Sequence, residues 1–325
     1  MLCLGIEGTA HTLGIGVVDE RCRVLANVSA MYSPPKGGIH PREAADMFAE
    51  SFPQVLNQGI EKAGITLKDI GAVAFSRGPG LGPCLRIVAT GARALALSLG
   101  ADLIGVNHCI AHLEIGRKLC RCDDPTLLYV SGGNTQVIGY KMGRYRVLGE
   151  TIDIGLGNMI DKLGRELGMK FPCGPEIERI ASRGKEYIEL PYSVKGMDVS
   201  FSGIATAALA LSKKHKIEDV LYSVQETCFG MVCEVAERAM AHTGSKELLL
   251  GGGVAQNKRF REMASIMARE RGAKSYVPPN EFLRDNGAMI AWTGLLMHKH
   301  GVRTSLENSA VDQRWRTDEV EVVWR

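Results

Sequence analysis

The chain has 325 residues, 45% of them hydrophobic and 23% charged, with a formal net charge of +3. That length suffices for two packed domains, and the composition excludes a disordered or fibrous chain. The charge is too mild to make nucleic acid a partner on electrostatics alone, so any RNA contact needs a local patch or an accessory protein.

The start, MLCLGIEGT, has no basic leader, and the apolar stretch near 87–106 is interrupted by Arg93 and Asp102. Neither a signal peptide nor a membrane span is expected. Leu2–Glu7 and Leu13–Asp19 read as short buried strands around the turn GTAHT, and 22–28 as a third strand. A Pro/Gly loop covers 31–41, and 42–64 has helical spacing interrupted at Pro53. Next come a buried strand at 71–76, an apolar helix at 81–100 and a strand at 102–107, after which His108 and His112 open a helix.

From 127 the pattern returns. LLYVSGGNTQVIGYKMGRYRVLGET gives strand, glycine turn, strand, turn, strand, and its RYRVL mirrors RCRVL at 21–25. Helices follow near 157–168, 175–184, 203–213 and 217–242, then a strand at 247–251, a helix at 255–271, a strand at 274–278 and a helix at 286–300. The chain therefore reads as a duplicated α/β protein with lobes 1–124 and 125–325, and a cleft is expected between them.

Nine cysteines lie at scattered positions with no CxxC pair. A disulfide scaffold is not expected, and a reducing, cytoplasmic setting fits. Cys120 and Cys122 form a CxC in a basic loop, a weak spacing for a ligand pair.

Each lobe opens with a turn of small residues, EGTAHT (7–12) and SGGNT (131–135). Such turns gather backbone N–H groups that can hold phosphate oxygens, or they are hairpin turns. The run LLLGGGVAQNKRFREM reads as strand, glycines, helix; Asn257 there is a nucleotide contact or a helix cap. There is no GxxxxGK[ST] P-loop, and RGPGLG does not fit the dinucleotide fingerprint.

His108 and His112 are four apart, which places both imidazoles on one helical face. That is half of a usual ligand set; otherwise the pair lines a cleft wall. Cys109 stands where the metallopeptidase motif HExxH has its glutamate, and Glu114, two residues past His112, points elsewhere. Asp285 in LRDNGAMIAW is an N-cap or an oxygen ligand.

Taken together, GIEGTAHT, NHCIAHLE, YVSGGNTQV, GGGVAQN and DNGAMIAW resemble the universal family that makes threonylcarbamoyladenosine in tRNA. Its archaeal and eukaryotic members are the catalytic subunit of the KEOPS complex, the branch that EGTAHT and Tyr129 resemble. The family was once described as an O-sialoglycoprotein endopeptidase, which the missing HExxH argues against. The resemblance runs from residue 2 to about 295 and implies the ASKHA fold, the duplicated actin/hexokinase/Hsp70-like architecture. It implies transfer of threonylcarbamoyl from its adenylate to N6 of adenosine 37 in tRNAs reading ANN codons, with release of AMP.

It also implies one iron or zinc ion per subunit on His108, His112, Tyr129 and Asp285. Nucleotide and substrate contacts fall on Tyr129, Val130, Ser131, Gly132, Gly133, Asp161, Gly174, Glu178 and Asn257, with ATP or threonylcarbamoyl-adenylate in the cleft. On spacing alone, Asp161 and Glu178 are plain helix carboxylates. The candidate bases for the amine are Glu7 and His11, with His11 suited to neutral pH; equally, the two shape the turn or hold a water. Partners implied are tRNA, KEOPS subunits and a protein kinase/ATPase, expected as a separate small protein because the sequence stops at 325. Basic clusters at 141–146, 213–216 and 258–261, and Lys36 and Arg42 in the 31–42 loop, are candidate tRNA contacts or solvated faces. Rival readings are a small-molecule kinase of the same fold, a metallopeptidase and a non-catalytic ATP-binding scaffold.

Overall fold

The computed structural model describes residues 1–34 and 38–325. Lys36 lies outside the described residues. The strands are β1 (Leu2–Glu7), β2 (Thr12–Asp19), β3 (Val24–Met31), β4 (Ile70–Gly78), β5 (Asp102–Asn107), β6 (Thr126–Val130), β7 (Thr135–Lys141), β8 (Arg144–Glu150), β9 (Val194–Lys195), β10 (Asp198–Val199), β11 (Glu247–Gly251) and β12 (Lys274–Tyr276). The helices are α1 (Pro41–Ala63), α2 (Gly82–Leu99), α3 (His108–Cys120), α4 (Leu156–Glu166), α5 (Gly174–Ala181), α6 (Ser202–Leu211), α7 (Ile217–Thr243), α8 (Lys258–Glu270), α9 (Asn280–Leu283) and α10 (Gly287–Lys299). No described helix is long and apolar enough to cross a membrane.

Two compact units result. The first gathers Met1–Leu119, Gly143–Tyr145 and Arg284–Arg325; the second gathers Cys120–Met142 and Arg146–Leu283. A break near 124, read from the repeat, does not capture the return of 284–325 to the first unit. Those residues carry α10, which is apolar nearly all round and is buried against β1, β2 and β4.

In the first unit the sheet order is β3-β2-β1-β4-β5. β1 pairs antiparallel with β2 and parallel with β4, while β4 and β5 are parallel. In the second unit the order is β12-β11-β6-β7-β8, with β6 antiparallel to β7 and parallel to β11, and β11 parallel to β12. The two sheets share one plan: a meander joined to two parallel strands. The duplication read from RCRVL and RYRVL is thus a duplication of topology.

Strand β2 is buried at every position because the sheet is covered on both faces. Helix α10 lies against bare backbone there. A Cβ on Gly16 would sit 2.2 Å from Ala288 N, and one on Gly5 2.2 Å from Ala291 N. Pro53 does not interrupt α1, which runs unbroken from Pro41 to Ala63. The proline stands on the exposed face, where the carbonyl one turn back can turn to water.

Candidate metal centre and nucleotide loops

Strand β5 ends at Asn107, whose side-chain oxygen accepts the N–H groups of Cys109 (3.1 Å) and Ile110 (3.3 Å). This cap lets α3 start at once, so His108 and His112 occupy its first turns, both buried. Their rings meet edge to face with centroids 4.8 Å apart.

Asp285 joins them from the turn before α10. The cap of α10 is Asn286, whose side chain accepts from Met289 N at 2.9 Å. Asp285 is therefore not spent as a cap. Its Oδ1 stands 3.4 Å from Nε2 of His108 and 3.4 Å from Nε2 of His112.

Behind His108 stands Glu7, wholly buried, with Oε2 3.1 Å from Nδ1. Thr9 fixes the carboxylate from the same turn, giving its N–H (2.8 Å) and hydroxyl (2.7 Å) to Oε1. The N–H of Gly8 goes to Ser76 Oγ at 3.0 Å. The Gly8 and Thr9 N–H groups of the first glycine turn are thus committed inside the protein, and a phosphate cradle on them is not what this turn builds. His11, at the end of the turn, is half-buried.

The electrostatics ask for positive charge at this spot. Burial works against a charged His108, yet Glu7 and Asp285 overcome it and push its pKa up to about 9. Burial holds His112 below the ordinary histidine value. Asp285 is held well below the usual carboxylate range: burial opposes this, and His108, His112 and His11 outweigh it. A proton on His108 or a cation among the three side chains satisfies the same field.

Among the described residues, His108, His112 and Asp285 form a group whose ligand atoms all lie within 4.8 Å of one another. Bonds of about 2.0–2.1 Å in a tetrahedron put ligand atoms about 3.4 Å apart, the separation of Asp285 from each imidazole. Glu7 on Nδ1 leaves Nε2 of His108 to face the ion, the arrangement that orients metal-binding histidines generally. The donor set fits a divalent transition metal. Cys120 and Cys122, at the end of α3 and in the following loop, are not in this group.

Tyr129 lies in the second unit. It is wholly buried in β6, opposite Gly251 of β11 and Gln136 of β7. Val130 ends that strand. Ser131 N and Asn134 O close the following turn at 2.8 Å, and Gly132 and Gly133 are exposed at its tip. The N-terminal end of α4 is pressed under this turn, with Gly157 N donating to Ser131 O and Asn158 N to Gly132 O.

Gly252 has φ +87, and a Cβ there would meet Val130 O at 2.2 Å, so the third glycine run lies beside the same turn. Asn257 caps α8 by accepting from Phe260 N (3.0 Å), and its amide donates to Gln225 at 2.6 Å. Glu178 accepts the N–H of Lys258 at 2.8 Å, and Asp161 that of Cys173 at 2.7 Å. Gly174 opens α5 with nothing within 4 Å of where a Cβ would stand. The two helix carboxylates thus tie α8 and the start of α5 in place around open backbone.

Sequence reasoning missed Thr9, Asn107, Ser76 and Asn286. Each is a short polar residue acting on backbone or on Glu7, and only EGT and RDN, which pair a carboxylate with a second cap former, gave any signal.

A profile of the tRNA N6-adenosine threonylcarbamoyltransferase family matches residues 23–292. The tRNA N6-adenosine threonylcarbamoyltransferase of Thermococcus kodakarensis is 58% identical over 326 aligned positions, spanning the whole of both chains. The chain belongs to this family. As a member it is a transferase that acts on tRNA adenosine. Among solved structures, HypF of T. kodakarensis superposes with TM-score 0.66 at 15% identity, covering 92% of this chain and 48% of that one. The ROK hexokinase of Thermus thermophilus gives 0.51 at 16%, covering 93% and 100%. These likenesses show the fold, and it is the ASKHA type. The Cys109 that breaks HExxH sits in a threonylcarbamoyltransferase.

Proposed function

We propose that this family member transfers threonylcarbamoyl from threonylcarbamoyl-adenylate to N6 of adenosine 37 in tRNAs reading ANN codons, releasing AMP. The observation that carries the activity is family identity along the whole chain, 58% to a transferase of that name. N6 forms its bond to the carbamoyl carbon, the bond from that carbon to the phosphate oxygen breaks, and N6 gives up a proton.

The adenylate is assigned to the second unit. Backbone N–H groups of Gly132 and Gly133 face its phosphate, in the turn that follows Tyr129 and Val130 and that Ser131 closes through its N–H to Asn134 O. Gly174, Asn257 and the carboxylates of Asp161 and Glu178 surround the nucleoside. The support is that these residues border open backbone, with nothing within 4 Å of a Cβ at Gly133, Gly174 or Gly253.

His108, His112 and Asp285 would hold an iron or zinc ion, with Tyr129 as a fourth ligand. When bound, the ion supplies Lewis acidity toward phosphate or carbamoyl oxygen. Glu7 keeps His108 in the tautomer that presents Nε2. Its burial and its bonds to Thr9 make it an orienting group, and His11 is the side chain assigned to take the N6 proton.

A KEOPS setting with a kinase/ATPase partner and a cytoplasmic location complete the reading. Of the basic clusters, 213–216 is solvent-exposed throughout and is the better tRNA candidate, as is exposed Arg42. Arg259 in 258–261 is spent on Glu226 and Glu262.

The test is a transfer assay with the protein, KEOPS partners, an ANN-decoding tRNA and the adenylate, run beside a His108→Ala/His112→Ala variant. Modified adenosine and AMP from the wild type, lost in the variant, support the reading. No product from folded, metal-loaded wild type with every partner present overturns it, and ADP release would point to a kinase.

A further inference from the structure

Glu114 is a carboxylate that the transfer reaction does not use. It lies on α3, two residues beyond His112, and is buried to 2% exposure. Two positions along a helix are about 200° of rotation, so Glu114 projects from the side of α3 opposite His112.

Its oxygens are met by donors from three parts of the first unit. Oε2 accepts from Arg117 Nη1 at 2.8 Å, one turn along the same helix. Oε1 accepts from the Tyr145 hydroxyl and from Trp324 Nε1, the latter at 2.8 Å. Tyr145 is wholly buried, and the Arg325 guanidinium stands 5.6 Å from its ring centroid. A buried carboxylate with so many charge-assisted bonds is costly to misplace, because moving it leaves charge and donors unsatisfied together.

The geometry points to Glu114 as a positioning residue for the metal centre: with Tyr145 and Trp324 it fixes the rotation of α3 and so the aim of His108 and His112 at Asp285. Helix α3 is then held from two sides. On one, Glu7 grips the His108 ring; on the other, the 143–145 segment and the C-terminal residues grip Glu114. A turn of the helix of about 20° would carry ring nitrogens several ångströms from the axis by more than an ångström, and metal sites need ligand positions held to about half an ångström. This inference rests on the metal reading of His108, His112 and Asp285.

The experiment uses the full chain with Co(II) as probe, titrated against a chelator, and records the visible Co(II) spectrum and the thermal midpoint. The variants are Tyr145→Phe and Trp324→Phe, which remove one donor each and keep most of the ring volume. Val73→Ala, in the core strand β4, is the control for destabilisation alone. Expected are Co(II) affinities about tenfold weaker in Tyr145→Phe and Trp324→Phe, with altered band positions, and no such change in Val73→Ala at comparable midpoint loss. Wild-type affinity and spectrum in both folded donor variants overturn the positioning role, and so does an equal loss in Val73→Ala. If one donor variant fails to fold, the other decides. If the wild type itself takes up no Co(II), the metal reading falls first, and the inference with it.

Discussion

Glu7 and His108 face each other inside the first unit, carboxylate Oε2 to imidazole Nδ1 at 3.1 Å, both buried. The pair joins the first glycine turn to the helix of histidines. It makes Glu7 the group that decides which nitrogen of His108 carries the proton.

Glu7→Gln should therefore weaken metal binding while keeping the fold. The new amide can still accept from Thr9, but it presents an N–H to Nδ1. That favours the tautomer with the proton on Nε2, where no lone pair is left for an ion. A loss of about 10–100-fold in affinity is expected, with transfer activity falling in step. Chelator competition on the purified variant measures it. Unchanged affinity would remove Glu7 from the metal centre.

His11→Ala should behave in the opposite way. His11 is half-buried, and the metal-competent group is complete without it. Metal content should stay at the wild-type level, while the transfer rate falls by about 10²–10⁴-fold, the usual share of a general base. Quantifying modified adenosine under single turnover, beside metal analysis of the same sample, separates the two effects. A wild-type rate would leave the N6 proton to solvent or to another group.

Much of this fold was legible because it is written twice. RCRVL and RYRVL mark equivalent strands, and the two observed sheets repeat one topology. Burial on both faces made Leu13–Val18 of β2 an apolar run, and the helices read at 81–100 and 217–242 match α2 and α7 almost to their ends. The return of α10 to the first sheet was not legible, since apolar residues all round a helix tell nothing about which sheet covers it. At the site, His108 and His112 followed from helical spacing. Asp285 did not: Asp and Asn adjoin, both cap helices well, and only the backbone shows that Asn286 takes the cap. Thr9 and Asn107 act through single hydrogen bonds, which leave no periodic trace.

Gly16→Ala tests the seat of α10. The added methyl would lie 2.2 Å from Ala288 N, a backbone atom that cannot swing aside. The helix must lift from β2, and Asp285 sits immediately before it. A loss of about 1–3 kcal/mol in urea unfolding is expected, the ordinary cost of overpacking. Weaker Co(II) binding should accompany it. A variant as stable as wild type would mean that the sheet yields instead of the helix.

Asp153→Asn tests a cap in the second unit through its pH dependence. The Asp153 carboxylate accepts from the hydroxyls of Ser200 and Ser202 and from the N–H groups of Phe201 and Ser202, closing the start of α6. Burial opposes the charged form, but these bonds hold its pKa well below the usual carboxylate range. A carboxylate depressed on folding adds stability above its unfolded value, about 3.9, and that contribution fades as pH falls toward the folded value. The wild type should thus exceed Asp153→Asn by a constant margin from pH 7 to about 5, and the margin should shrink steadily below about pH 4. Urea midpoints for both proteins across that range measure it. A margin that stays level down to pH 3 would show that the charge on Asp153 contributes nothing to it, and no margin at any pH would show that an amide caps α6 equally well.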